Sequence, residues 1–208
     1  MQTKTYNVYK YNELNKEQQQ KVLENLYSIN IECDWWSDFI IEDETEKLNK
    51  YGFENIKIYF SGFWSQGDGA CFTGSLNNDG LLKFLTETKE LTKYKTLVKA
   101  IKNNTIYVNI EITHSFRYYH EYSTDINDYT EMQDNSELTG NLLKEYTEWY
   151  KSFDRKGLRN ESIGWYYNTC RSIYNRLEKE YEYLTSDKAI IETIEVNDFD
   201  FTEDGKID

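Results

Sequence analysis

Between Thr105 and Thr113 every second position is apolar: Ile106, Val108, Ile110 and Ile112 fall on one side, Asn109, Glu111 and Thr113 on the other. A period of two marks a strand with one buried face, so "TIYVNIEITHSFRYYHEYST" predicts a hairpin. "NIKIYFSGFW" alternates in the same way, and "ACFTGSL" returns antiparallel to it after a glycine-rich turn, which makes an earlier hairpin. Helical spacing takes over elsewhere. "NKEQQQKVLENLYSI" places Val22, Leu23, Leu26 and Ile29 on one face with Asn15 as N-cap, after an extended segment near Tyr6 to Tyr11. "DWWSDFIIEDETEKLNKYG" predicts a second helix, capped by Asp34, burying Trp36, Phe39, Ile40 and Leu48 and ending at Gly52. "DGLLKFLTETKELTKYKTLVKAIKNN" reads as helix in two pieces. From about 137 to 195 the chain is helical again, and its long amphipathic segment breaks near Thr185, where Ser186 caps the next helix.

Strand-forming and helix-forming stretches are segregated along the chain. That predicts an α+β fold, an antiparallel sheet built from hairpins and packed with several helices, including a long C-terminal helical segment. The 208 residues show no repeat and no linker, so one domain over 1–208 is expected. An aromatic share of 16% excludes a disordered solvating chain, and with no proline, Gly and Asn punctuate the helices and turns. The start "MQTKTYNVYKYNELNKEQQQ" lacks a signal-peptide core, and no apolar run reaches the roughly 18 to 20 residues of a membrane span. A cytoplasmic protein without membrane contact is expected. Cys33, Cys71 and Cys170 lie far apart, unlike metal-ligand spacing, and read as reduced thiols with Cys71 and Cys170 in the core.

Charge changes the picture most. Lys and Arg number 24 against 37 Asp and Glu, a net charge of −13, and a surface of that sign repels a phosphate backbone. Direct nucleic-acid binding over a wide face is disfavoured, whereas a basic partner is invited. The acid concentrates in 121–148 and in the tail "ETIEVNDFDFTEDGKID". Glu131, Asp134, Glu137, Asp198, Asp200, Glu203 and Asp204 are the candidate partner surface. The competing reading is that acidity keeps the protein dispersed.

One loop concentrates chemistry: "FSGFWSQGDGACFTG", Phe60 to Gly74. Gly67 and Gly69 flank Asp68, which is hairpin-turn chemistry. The same residues put Trp64, Ser65, Gln66 and Asp68 together as a candidate binding loop at a sheet rim. It lacks the Gly-Lys-Ser/Thr ending of a phosphate loop. The two histidines depend on register. A three-residue loop at Ser115 to Arg117 pairs His114 with Tyr118 and His120 with Ile112, placing both imidazoles on one face; a two-residue loop separates them. Glu111 and Glu121 alternate away from both. Without His-Glu-x-x-His spacing, a Cys pair or a nucleophile motif, no catalytic residue, metal or cofactor is assigned. "DINDYTEMQDNSE" and "DFDFTEDGKID" lack the Gly and Glu positions of a calcium loop.

The runs "IYFSGFWSQGDGACFTG" and "IYNRLEKEYEYLTSDKAIIETIEVNDFDFTEDG" resemble a group of small bacteriophage and prophage proteins. These carry a Ser-Gly-Phe-x-Ser-Gln-Gly-Asp-Gly-Ala block, then a Leu-Glu-x-Glu-Tyr-x-Tyr-Leu segment and an acidic, Phe-containing end. The resemblance implies an accessory protein of the host cytoplasm. With the acidic surface it points to an anti-defence, anti-CRISPR-like inhibitor. Such a protein would occupy the basic nucleic-acid channel of a host defence protein or nucleoprotein complex. The alternative is a small enzyme or nucleotide-binding protein centred on the SQGDG loop, which predicts a concave site where Asp68 and an imidazole meet.

Overall fold

The computed structural model describes residues 7–114, 117–156 and 163–208. In chain order it contains β1 (Tyr9–Lys10), α1 (Lys16–Asn25), α2 (Asp38–Lys50), β2 (Glu54–Ser61), β3 (Gly69–Asn77), α3 (Asn78–Glu87), α4 (Lys95–Lys102), β4 (Ile106–Tyr107) and β5 (Asn109–His114). There follow β6 (Thr124–Asp128), β7 (Glu131–Met132), α5 (Gly140–Phe153), α6 (Trp165–Leu184), α7 (Asp187–Val196) and β8 (Asp200–Phe201). The fold is α+β with antiparallel sheets and a long C-terminal helix. The chain groups into two compact units, 40–176 on the one hand and 1–39 with 177–208 on the other.

In the 40–176 unit the main sheet runs β2-β3-β5-β6. β3 is central, and its Ala70, Cys71, Phe72 and Leu76 are buried. Ile106, Val108, Ile110 and Ile112 are buried as their alternation predicts. They are not one strand: Ile106 pairs with Met132 in the separate β4–β7 ribbon, while Ile110 and Ile112 belong to β5. Aromatic rings fill the space between sheet and helices. Phe53 stacks on Trp165 at 5.6 Å and meets Phe72 edge-on at 5.4 Å; Trp149 stacks on Phe153 at 5.6 Å. Rings of this size supply most of the apolar area of such a core.

Buried Tyr166 ties α6 to the sheet. Its hydroxyl donates to the Phe72 carbonyl at 2.9 Å and accepts from Thr124 Oγ1 at 2.8 Å. Tyr166→Phe removes both hydrogen bonds and strands the buried Thr124 hydroxyl, so a loss of about 2 kcal/mol is expected. A urea titration with unchanged slope reads it; a shift within error would show that the pair is re-satisfied by rearrangement.

Helix ends follow local chemistry. Asn15 accepts from Gln18 N while the Gln18 side chain returns to Asn15 N, and Ser186 accepts from Ala189 N. Asn77 does the same for Gly80 N at the start of α3. At the other ends, a residue with positive φ closes the last turn: Gly52 for α2, Lys89 for α3, Asn104 for α4 and Asp198 for α7. Three of these four are not glycine, in a chain that has no proline to stop a helix. α4 has no cap of its own. Glu145 from α5 supplies one, accepting from Thr96 Oγ1 at 2.7 Å and Leu97 N at 2.9 Å.

Phe39 departs from expectation: it is 74% exposed. The buried stripe of α2 is Ile40, Glu44 and Leu48, four residues apart, and Phe39 lies about 100° round the helix from it. Trp36 is half-buried and meets Tyr181 edge-on at 6.0 Å. Glu44 is buried because Arg176 and Lys47 both hold its carboxylate.

In the unit of the two chain ends, α1 and α7 pack Val22 and Leu23 with Ile190 and Ile194, and Leu14 and Phe201 complete that core. β1 pairs with β8, matching Tyr9 to Phe201 and Lys10 to Asp200. Tyr6, the first residue expected in the extended segment, lies outside the described residues.

Candidate site at the SQGDG turn

β2 and β3 pair up to Ser61 and Gly69, so 62–68 forms the connection. Asp68 fills its inside. Its Oδ2 accepts from Trp64 N at 2.8 Å and Ser65 N at 2.5 Å, and Asp68 N donates to Ser65 O at 3.1 Å. Gly67 has φ of +103°, which its neighbours in the turn require. The turn reading of Asp68 is therefore correct.

The glycines have a second task. A Cβ on Gly69 would stand 2.6 Å from His120 Cβ and 2.7 Å from His120 Cα; one on Gly67 would stand 3.3 Å from the Tyr118 ring. The segment 117–123 is thus laid directly over the QGDG turn. Neither expected hairpin register occurs: Ile112 pairs with Ile126 and His114 with Thr124, so the return needs residues 115–123. Ser115 and Phe116, where the tight turn was expected, lie outside the described residues.

The overlying segment is fastened at several points. His114 Nε2 is hydrogen-bonded to Tyr118 O at 3.1 Å, and Tyr59 stacks on His114 and Tyr119 at 5.4 Å each. His120 Nδ1 accepts from Tyr122 N at 3.1 Å, so in the neutral ring Nε2 carries the proton. Arg171 Nε donates to Glu121 at 2.8 Å, and another of its nitrogens reaches the Tyr122 hydroxyl at 3.0 Å. Tyr122 stacks on Tyr167 at 5.4 Å.

Between turn and segment lies an open cleft of about 520 Å³, lined by Gln66, Gly67, Asp68, Tyr118, His120, Glu121 and Tyr122. Asp68 and His120 both line it. Among the described residues no lysine or arginine lines the cleft, although Arg171 holds its Glu121 and Tyr122. Trp64, on the same loop, is 73% exposed. Ser65 contributes its backbone amide to the turn and is exposed. Glu111 is exposed on β5, and among the described residues no group of His, Cys, Asp and Glu is arranged to hold a metal ion.

The candidate acidic residues divide. Asp198 and Asp200 bracket Lys10 at 2.8 and 2.9 Å, and Glu203 accepts from the Tyr9 hydroxyl at 3.3 Å. Asp204 accepts from Thr202 Oγ1 and pairs with Lys206, which together hold its carboxyl down at about 2. These four fasten the tail within the unit of the chain ends. Glu131, Asp134 and Glu137 belong to the other unit. Asp134 accepts from Ser136, whose side-chain and backbone hydrogen bonds lower its pKa, and Glu131 and Glu137 are exposed. Sequence reading also missed Arg171, Tyr122 and Tyr167. Tyr122 and Arg171 stand 49 residues apart in sequence, and no short motif joins them.

Cys71 and Cys170 are buried and Cys33 exposed, all three as free thiols. Burial pushes the Cys71 thiol up to about 12 and raises Cys170 as well, so neither is a nucleophile at neutral pH. Among the described residues no helix is long and apolar enough to cross a membrane.

The molecule is an α+β protein with an acidic, aromatic cleft at the rim of its antiparallel sheet. It belongs to the family described as a domain of unknown function (DUF8835), whose model matches residues 36–187, a span that includes the whole cleft. No curated protein and no solved structure matches the chain.

Proposed function

We propose that the protein acts by binding, and that the SQGDG cleft and its rim engage a basic macromolecular partner. One observation carries this: among the described residues the lining brings together the rings of Tyr118, His120 and Tyr122 with no Lys or Arg, beside a Trp64 that is 73% exposed. Arginine side chains of a partner match the ring faces, and exposed aromatics are the usual anchors of such interfaces. The net charge of −13 would steer the encounter. In this reading the protein is a phage-encoded inhibitor that covers the basic nucleic-acid channel of a host defence complex. The resemblance of its SGFWSQGDGA block to phage accessory proteins supports that setting.

The enzyme or nucleotide reading keeps one observation, that Asp68 and His120 line the same cleft. Both groups are already engaged, Asp68 by two turn amides and His120 by Tyr122 N. A nucleotide's phosphates would also face the Asp68 carboxylate there, with no lysine or arginine in the lining among the described residues.

Nuclease-treated capture from bacterial host lysate, then titration of the purified partner, tests the proposal. Tenfold more salt and Trp64→Ala are each expected to weaken binding by about tenfold or more, roughly 1.4 kcal/mol. Affinity unchanged by both would overturn the reading, and Asp68→Ala acting on a small-molecule ligand instead would favour the alternative.

A further inference from the structure

The unit of the two chain ends holds a hollow of its own, with a volume of about 570 Å³. Among the described residues three aromatic rings line it, those of Trp35, Trp36 and Phe199. It shares no residue with the SQGDG cleft, which belongs to the other unit.

Three stretches of chain build it. After α1 the backbone turns tightly, Ile29 N–H donating to Leu26 O and Ile31 N–H to Ser28 O at 2.9 Å each, and enters a 3₁₀ turn at Asp34–Ser37 that carries both tryptophans. The last two turns of α6 contribute Glu180 and Leu184. Phe199 follows α7, where Asp198 closes the helix with φ of +52° and Phe199 N–H donates to Ile194 O at 3.2 Å. Asn30 ties these walls together: its Nδ2 donates to Leu184 O at 3.0 Å, and its Oδ1 accepts from Thr193 Oγ1 at 2.7 Å.

The two tryptophans divide the work. Trp36 is half-buried and meets Tyr181 edge-on at 6.0 Å, which fixes one wall, whereas Trp35 is 72% exposed and keeps its indole open to an incoming group. Indole is the side chain whose face attracts a cation most strongly. Charge complements the rings. Glu32 and Glu180 lie on the same lining, and neither makes an ion pair among the described residues.

We propose that this hollow binds the quaternary ammonium group of a small molecule. Such a cation is weakly hydrated and has no N–H to satisfy, so ring faces and nearby carboxylates suffice to hold it. A primary ammonium or a guanidinium brings about three to five N–H donors. They would enter a lining whose Asn30 and Thr193 side chains are already bonded to each other. A phosphate would face Glu32 and Glu180 with no lysine or arginine in the lining among the described residues, which disfavours a choline lipid headgroup as the source.

Titration of the full chain with choline, followed through the tryptophan indole resonances, tests this. Saturable shifts of Trp35 and Trp36 are expected, at an affinity about tenfold or more above that for the uncharged isostere in which carbon replaces the nitrogen. Trp35→Ala, at an exposed position, is expected to weaken choline binding about tenfold, and Trp35→Phe, which keeps a ring, to retain most of it. Changing Glu32 and Glu180 together to Gln is expected to weaken choline and leave the isostere unaffected. Equal affinity for the isostere, guanidinium competing as well as choline, or phosphatidylcholine vesicles competing at a lower choline concentration would overturn the proposal. Trp64→Ala leaves choline binding unchanged, which keeps this result independent of the partner-binding cleft.

Discussion

Gly52→Ala is expected to lower the free energy of unfolding by about 3 kcal/mol or more, the largest single-methyl effect that the structure implies. Two costs combine. Gly52 has φ of +94° because it closes α2: its N–H bonds Asn49 O at 2.9 Å, and Phe53 N bonds Leu48 O at 3.1 Å, with Leu48 and Phe53 both buried. An alanine in that conformation costs about 1 to 2 kcal/mol. Space adds the rest. The new Cβ would lie 2.3 Å from Gly80 O and 2.6 Å from Gly80 Cα, and a Cβ on Gly80 would in turn lie 2.4 Å from Gly52 O. Backbone meets backbone here, at the start of α3, so no flexible side chain can give way. Gly140→Ala is the matched control. It has φ of +59° and nothing within 4 Å, so its expected cost is about 1 kcal/mol, the backbone part alone. Urea unfolding of both variants separates the two contributions. Equal losses would mean that α2 and α3 do not approach this closely.

Local features of the fold were legible because their causes are local. Asn15 and Ser186 cap the helices that they were expected to cap, Gly52 ends α2, and the Ile106-to-Ile112 alternation is buried. Such features depend on residues three or four apart, or on a period that the chain displays directly. What the sequence hid is set by distant partners. Nothing near Val108 announces that the alternating run changes sheet there, since the switch depends on Met132 and Glu131 pairing with Ile106 and Tyr107. Glu44 reads as one more surface carboxylate until Arg176, 132 residues away, covers it. The tail acids read as a free charged surface. Lys10 lies 188 residues before Asp198 and holds it from the opposite end of the chain.

The candidate loop shows the same division within a few residues. "QGDG" announced a turn, and Asp68 behaves as turn chemistry requires. It gave no sign that the glycines also form a seat for Tyr118 and His120, because a missing Cβ matters only relative to what arrives from elsewhere. The register expected for His114 and His120 gives way to one that pairs His114 with Thr124.

Gly69→Ala is therefore expected to separate turn from site. Gly69 is extended and pairs with Ser61, a geometry that alanine adopts without strain, so the β2–β3 hairpin should persist. The methyl group instead strikes His120 at 2.6 and 2.7 Å, at Cβ and at the backbone Cα. Overpacking of this kind costs about 1 to 3 kcal/mol, and the route to relief is for 118–122 to lift from the strand. Lifting breaks the hydrogen bonds of Arg171 to Glu121 and to Tyr122 and unstacks Tyr122 from Tyr167. Three readouts should move together: a lower urea midpoint, altered His120 imidazole resonances, and faster tryptic cleavage at exposed Arg117. Binding of the basic partner should fall at least as far as in Trp64→Ala, since the variant removes one wall of the cleft rather than one anchor. Stability lost with binding intact would place the partner on another surface and leave the glycines a purely architectural role. If the His120 resonances and the midpoint both stay at wild-type values, the segment does not rest on Gly69, and the cleft loses its basis.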